Sequence, residues 1–258
     1  MSRFSRRSGL FAIGLLAATL SPVARADTLV IPAAFENADA DSNLSFPFAQ
    51  VTLPPSNYPY QYEQVYGVAE FGTPADALYI TAARFRVDQP TGDRGPFQIE
   101  HLELRVGTST KGPDQLTSLQ GGSNIDGGDT TLVFSGPLSF DPCDADVCAL
   151  PAFDIEVAFT APFVYDPSSG RNLVLNFLNT SDTQNFPNQL FDAAQDTDGT
   201  SSVREVLQRD DPATHLFLAP ATVGLVTQFV FTVPEADSTL AGAAALGAVA
   251  ILRRRRVR

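Results

Sequence analysis

The chain has 258 residues, is 44% hydrophobic and 18% charged, and carries a formal charge of −12 with two cysteines, two histidines and no tryptophan. That length is ample for a hydrophobic core. The acidic balance excludes binding to nucleic acid or anionic lipid through a basic patch on the body of the chain.

The N-terminus reads as a secretory leader. Arg3, Arg6 and Arg7 form a basic start, Leu10 to Leu20 is an apolar run, and Ala24-Arg25-Ala26 fits an A-x-A cleavage site. Cleavage there makes Asp27 the first mature residue and signal peptidase and the Sec machinery the expected partners. The apolar run is shorter than the roughly 20 residues a membrane span requires. The chain therefore divides into a signal peptide (1–26), a body (27–233) and a tail (234–258). Trimming both ends leaves eight basic and 27 acidic residues, a net charge of about −19, with Lys111 the only lysine.

Period-two hydrophobicity runs through the body, and period two is the signature of half-buried strands. Thr28–Ile31 and Gln64–Phe71 read as short strands. Ile80–Val87 reads as another, with Phe85 and Val87 on one face and Arg84 and Arg86 on the other. From Phe97 to Val106 the apolar phase slips by one at Glu100-His101, as a β-bulge allows. Thr130–Phe134 follows. Phe153, Ile155, Val157 and Phe159 alternate with polar or small residues, as do Leu173, Leu175 and Phe177. Ser202–Leu207 and His215–Leu218 come next, and Leu225, Thr227, Phe229, Phe231 and Val233 complete the series. Tyr58, Tyr60, Tyr62 and Tyr66, beside prolines, read as a packed loop. Turn residues separate these segments: Pro54-Pro55, Asp93 to Pro96, Gly121-Gly122, Gly127-Gly128, Pro167 to Gly170 and Asp198-Gly199. No window of the body has a helical stripe. The expected fold is all-β: an antiparallel β-sandwich, jelly-roll-like, followed by a short C-terminal hydrophobic helix.

Cys143 and Cys148 lie five residues apart in an exported chain, which points to a structural disulfide. A redox pair is the alternative, although the usual spacing is C-x-x-C. Two acidic segments carry oxygen ligands. Asn37, Asp39, Asp41 and Asn43 alternate in one, and Asp192, Asp196 and Asp198 precede Gly199 in the other. Calcium takes six to eight such oxygens, so it is the expected ligand if there is one, although neither segment completes an EF-hand. No other cofactor is expected.

The tail begins at Val233-Pro234-Glu235-Ala236, continues as an apolar stretch from Leu240 to Leu252, and ends in Arg253, Arg254, Arg255, Arg256 and Arg258. Thirteen apolar residues make a marginal span, and the arginines place this end in the cytoplasm and the body outside. This three-part layout resembles the bacterial PEP-CTERM sorting signal, with Ala236 where the usual motif has a second proline. The resemblance implies recognition in the membrane and removal of the tail by an exosortase. It also implies an exported surface or matrix protein, often from a bacterium that makes exopolysaccharide, which is then a further partner. A plain tail anchor that is never cut is the alternative. The order of Tyr62 to Tyr66, Leu102 to Thr110, Thr130 to Pro137, Phe153 to Val157, Pro162 to Tyr165 and Asn172 to Asn176 is similar to an uncharacterised group of PEP-CTERM β-sandwich proteins, whose shared motifs are structural.

Catalytic signals are sparse. There is no nucleophile elbow around a serine, no zinc-binding H-E-x-x-H and no phosphate loop. His101 and His215 read as edge or surface residues. Asp154 with Glu156, or Glu100 with Glu103, are the carboxylate pairs a secreted glycoside hydrolase would need, but alternation alone places such residues on a solvated strand face. The expectation is a non-enzymatic protein of the cell envelope or extracellular surface. A calcium-dependent or carbohydrate-binding adhesive module is the alternative, and a hydrolase is a weaker one.

Overall fold

Strands form wherever the alternation places β-branched and aromatic side chains on one face. The computed structural model describes residues 26–48, 51–53, 56–72, 76–88, 97–119, 122–140, 152–181, 190–195, 199–207 and 215–233. In chain order the strands are β1 (Ala26–Ile31), β2 (Ser42–Leu44), β3 (Val51–Leu53), β4 (Ser56–Tyr58) and β5 (Tyr60–Tyr66). Next come β6 (Leu78–Phe85), β7 (Phe97–Ser109), β8 (Thr131–Phe140), β9 (Ile155–Tyr165) and β10 (Asn172–Asn179). The last five are β11 (Phe191–Gln195), β12 (Thr200–Leu207), β13 (His215–Ala221), β14 (Val223–Leu225) and β15 (Thr227–Thr232). The only helical elements among the described residues are three short 3-10 turns. None of these residues forms a helix long and apolar enough to cross a membrane.

The strands pair antiparallel. One sheet has the order β1-β15-β6-β9 and a larger one β13-β12-β5-β10-β7-β8; β14-β11-β2 and β3-β4 make two small sheets. The two larger sheets share one apolar core, as in a β-sandwich. Ile31, Ile80, Phe85, Val157, Phe163, Tyr165 and Phe229 enter it from the first, and Tyr62, Leu104, Val106, Leu175 and Phe177 from the second. Phe177 sits in register between Tyr62 and Leu104. Phe48, fully buried on a turn after β2, packs edge-on against the rings of Phe85, Phe140, Phe177 and Phe191.

The bulge expected at Glu100-His101 is present: Ile99 pairs with Leu138 and Leu102 with Gly136, so the register shifts while both apolar residues stay buried. Three expectations need correction. Tyr60, Tyr62 and Tyr66 belong to β5 and point into the core; the prolines bound a strand. Leu225 to Val233 is two strands in different sheets, broken at Val226, whose N–H donates to the Asp192 carbonyl. At that corner the Gln64 side-chain amide replaces a neighbouring strand, donating to Leu225 O and accepting from Leu225 N, both at 2.8 Å. Arg86 does not face solvent: it is only 1% exposed.

The larger sheet is covered on its other face too. Residues 110–119 and 122–130 lie over it, and Leu116, Leu119 and Ile125 bury Val65, Val174 and Val203. A half-buried alternation therefore describes β9 better than β5 or β10. Phe48→Ala removes a side chain that touches both halves of the core, and such truncations cost about 3–5 kcal/mol; a chemical denaturation midpoint lowered accordingly, with unchanged slope, is the expected outcome.

Candidate functional site

The two acidic segments singled out in the sequence meet. β2 pairs with β11 so that Asn43 lies opposite Asp192. The Ala40 N–H donates to Asp192 Oδ1 at 3.0 Å, and the Gln195 N–H donates to Asp41 Oδ1 at 2.9 Å. The chain leaving β6 runs against the same strand: Asp192 N donates to Arg86 O and Asp88 N to Leu190 O. The result is a cluster of Asp39, Asp88 and Asp192, whose carboxylate oxygens lie within 4.8 Å of one another. Asp88 and Asp192 are buried and Asp39 is exposed.

Arg86 occupies the inner side of this cluster. Its Nε and Nη2 both donate to Asp192 Oδ2, Nη2 also donates to Ala38 O, and the Phe153 ring lies 4.7 Å below the guanidinium carbon. Nη1 is buried without a hydrogen-bond partner among the described residues. A planar fork against a carboxylate and an aromatic face is the setting that suits arginine and not lysine. Burial, reinforced by the Asp39 charge, outweighs Arg86 and pushes the Asp192 carboxyl up to about 6. The cluster thus carries its own cation. Three carboxylates with one guanidinium still leave an acidic surplus, and this is the one place among the described residues where three metal-ligating side chains converge.

A second polar centre lies on the outer face of the larger sheet. Glu63 on β5 points away from the core, under Ser123 and Asn124, and is fully buried. Its carboxylate accepts from Ser123 Oγ, from Asn124 N (2.9 Å), from Asn124 Nδ2 (2.7 Å) and from Asn176 Nδ2 (2.5 Å). Burial pushes the Glu63 carboxyl above its ordinary range, and these neutral donors only partly oppose it. Sequence reasoning missed Glu63, Asn124, Arg86 and Asp88. The one signal available was the solitary Lys111, whose Nζ lies beside Asn124.

The remaining candidates stay apart. Glu156 pairs with Arg84 at 2.6 Å and Glu103 with Arg105 at 3.0 Å, on exposed strand faces. Asp154 and Glu100 are exposed. His101, on the bulge, has Nδ1 3.0 Å from Thr180 Oγ1; His215 begins β13. Ala26 and Asp27 lie in β1, and Val233 directly follows β15. Ala24, Cys143, Cys148, Asp196, Asp198, Pro234, Glu235, Ala236 and Arg253 to Arg256 lie outside the described residues. Comparison with protein-family models, with curated proteins and with solved structures finds no match for the chain.

The Asp192 carboxyl has a folded pKa of about 6 against an ordinary 3.8. Between those values the folded state binds more protons than the unfolded chain. This group's contribution is therefore present at low pH and is lost as pH rises through about 6. Thermal melts across that window should show the wild type losing stability relative to Asp192→Asn as pH rises, with the loss displaced to lower pH in Asp39→Asn, which lacks the repelling charge.

Proposed function

We propose that the chain is an exported, non-enzymatic structural or interaction protein of a bacterial cell envelope, held and sorted by its C-terminal tail. The observation that carries this reading is the tail itself: Pro234-Glu235-Ala236, a short apolar stretch and an arginine block, behind a signal peptide at the other end. Export through the Sec machinery, cutting by signal peptidase before Asp27 and recognition by an exosortase-type enzyme follow from it, with exopolysaccharide as the surrounding matrix.

The fold supports this division of labour. β1 starts at Ala26 and pairs along its length with β15, which ends at Thr232. Both cuts then fall at the outer ends of two paired strands, and the only pairing lost among the described residues is Ala26 with Thr232. Strand order supports the finer reading as a jelly roll. Numbering β1, β5, β6, β7, β8, β9, β10 and β15 as one to eight, the sheets run 1-8-3-6 and 2-7-4-5, with β12 and β13 added beside β5. Two such interleaved four-stranded sheets are the arrangement of a jelly roll. Of the candidate hydrolytic carboxylates, Glu156 and Glu103 are held in ion pairs with Arg84 and Arg105, which supports a non-enzymatic role.

Deleting residues 234–258 should release the body to the periplasm or medium with an unchanged melting temperature. Retention of the truncated body in the membrane fraction would contradict sorting by the tail. A mature C-terminus still ending at Arg258 would leave a plain anchor in place of exosortase processing.

A calcium-dependent adhesive module is the second reading, favoured by the convergence of Asp39, Asp88 and Asp192. The Arg86 guanidinium already neutralises Asp192, so the primary reading predicts the same melting temperature in millimolar calcium and in chelator. A rise with calcium that Asp39→Asn abolishes would favour the module.

A further inference from the structure

Lys111, Asn124, Thr117 and Glu63 are arranged around a single amide. Lys111 Nζ lies 2.6 Å from Asn124 Oδ1. The orientation of that amide is fixed at both ends. Oδ1 accepts from Thr117 N at 3.0 Å and from Thr117 Oγ1 at 2.9 Å, while Nδ2 donates to Thr117 O at 3.0 Å and to Glu63 Oε2 at 2.7 Å. Ser109 Oγ ties the two backbones together, accepting from Lys111 N at 3.1 Å and donating to Asn124 O at 2.7 Å. Asn124 is 1% exposed and Glu63 is fully buried.

An ordinary buried salt bridge would place the ammonium against the carboxylate. Here they sit at opposite ends of one carboxamide, the amine at its oxygen end and the acid on its nitrogen. We propose that Lys111 and Asn124 become joined by an intramolecular isopeptide bond, formed by attack of Lys111 Nζ on Asn124 Cγ with release of ammonia, and that Glu63 is the catalytic acid–base residue.

The step balances without an oxidant or a cofactor. Lys111 first gives one proton to solvent. The neutral Nζ adds to Cγ, and charge develops on Oδ1, where the Thr117 N–H and hydroxyl already donate, as in an oxyanion hole. Glu63 in its protonated form, which burial favours, gives its proton to Nδ2 as the Cγ–Nδ2 bond breaks and ammonia leaves. The surplus proton on Nζ returns to Glu63. An amide replaces an amide, so the bond energies nearly cancel, and loss of ammonia to dilute solution draws the reaction forward. Holding amine and carboxamide in contact supplies the proximity such a reaction lacks in free solution. The product is a covalent staple within the segment that covers β5 and β10, available to an exported protein whatever the state of its cysteines.

Intact mass spectrometry of the folded full chain tests the bond. The expected mass is lower by one ammonia than the sequence requires, after correction for cut ends and for any disulfide. Fragmentation should give a branched peptide joining residues 111 and 124, and an amine reagent applied to the denatured protein should leave Lys111 unlabelled. Because Lys111 is the only lysine, that labelling is unambiguous. Full mass with Lys111 labelled overturns the proposal, and so does ammonia loss with Lys111 still labelled, the signature of a succinimide at an asparagine. Glu63→Gln keeps the shape and the contact with Nδ2 but not the acid, and should leave the chain folded, unlinked and labelled. A Glu63→Gln chain that links as completely as wild type overturns the role of Glu63. The wild-type mass decides the bond whether or not that variant folds.

Discussion

Interleaving of the strands is the constraint on which the rest of the structure depends. β5 and β6 are neighbours in sequence yet belong to opposite sheets, as are β6 and β7, and again β8 and β9; β1, the first strand, finds its partner only in β15, the last. Neither sheet can bury its apolar face without the other. Phe48, Phe85, Phe177 and Phe229 therefore form one core and not two. Such non-local pairing delays the reward of burial until long loops have closed, and it ties the first and last described strands, β1 and β15, to the same core as the centre.

Burial of polar groups follows from that geometry. Where the chain leaves β6, Arg86 is carried under β11 and must be answered there; Asp192 answers it, and the charge pair is stable only as a pair. On the outer face of the larger sheet the same problem has a different solution. Glu63 is surrounded by neutral donors from residues 123, 124 and 176. Desolvation raises its carboxyl pKa, and the donors that oppose the shift are neutral. One buried carboxylate thus fixes an ion pair, and the other is held by neutral hydrogen-bond donors.

What could be read in the sequence followed from local pattern. The phase slip at Glu100-His101 gave the bulge because side-chain alternation is a one-residue rule. The strand character of Ile155 to Phe159 and of Leu173 to Phe177 came from the same rule. It fails where tertiary contacts decide. Arg86 continues the polar phase of Arg84, but the strand has ended at Phe85 and the guanidinium turns inward to a partner 106 residues away. Leu225, Phe229 and Phe231 keep one phase across Val226, yet Leu225 belongs to β14 and Phe229 to β15 in another sheet. Asp39 and Asp192 were each visible as acidic loop residues. Their meeting was not, because it depends on the pairing of β2 with β11. Glu63 gave no signal in the sequence, because its burial depends on residues 110–119 and 122–130 packing over β5.

We propose that the described strands between Asp27 and Val233 act as a single self-sufficient sandwich, with β1 paired to β15, from which both ends can be removed. Native-state hydrogen exchange on that segment tests it most directly. The account predicts that the slowest amides of β15, around Phe229, and of β10, around Leu175, open with one shared free energy and the same denaturant dependence. A β1–β15 pair that opens at distinctly lower free energy than β10, or opens fully while the larger sheet stays protected, would contradict it.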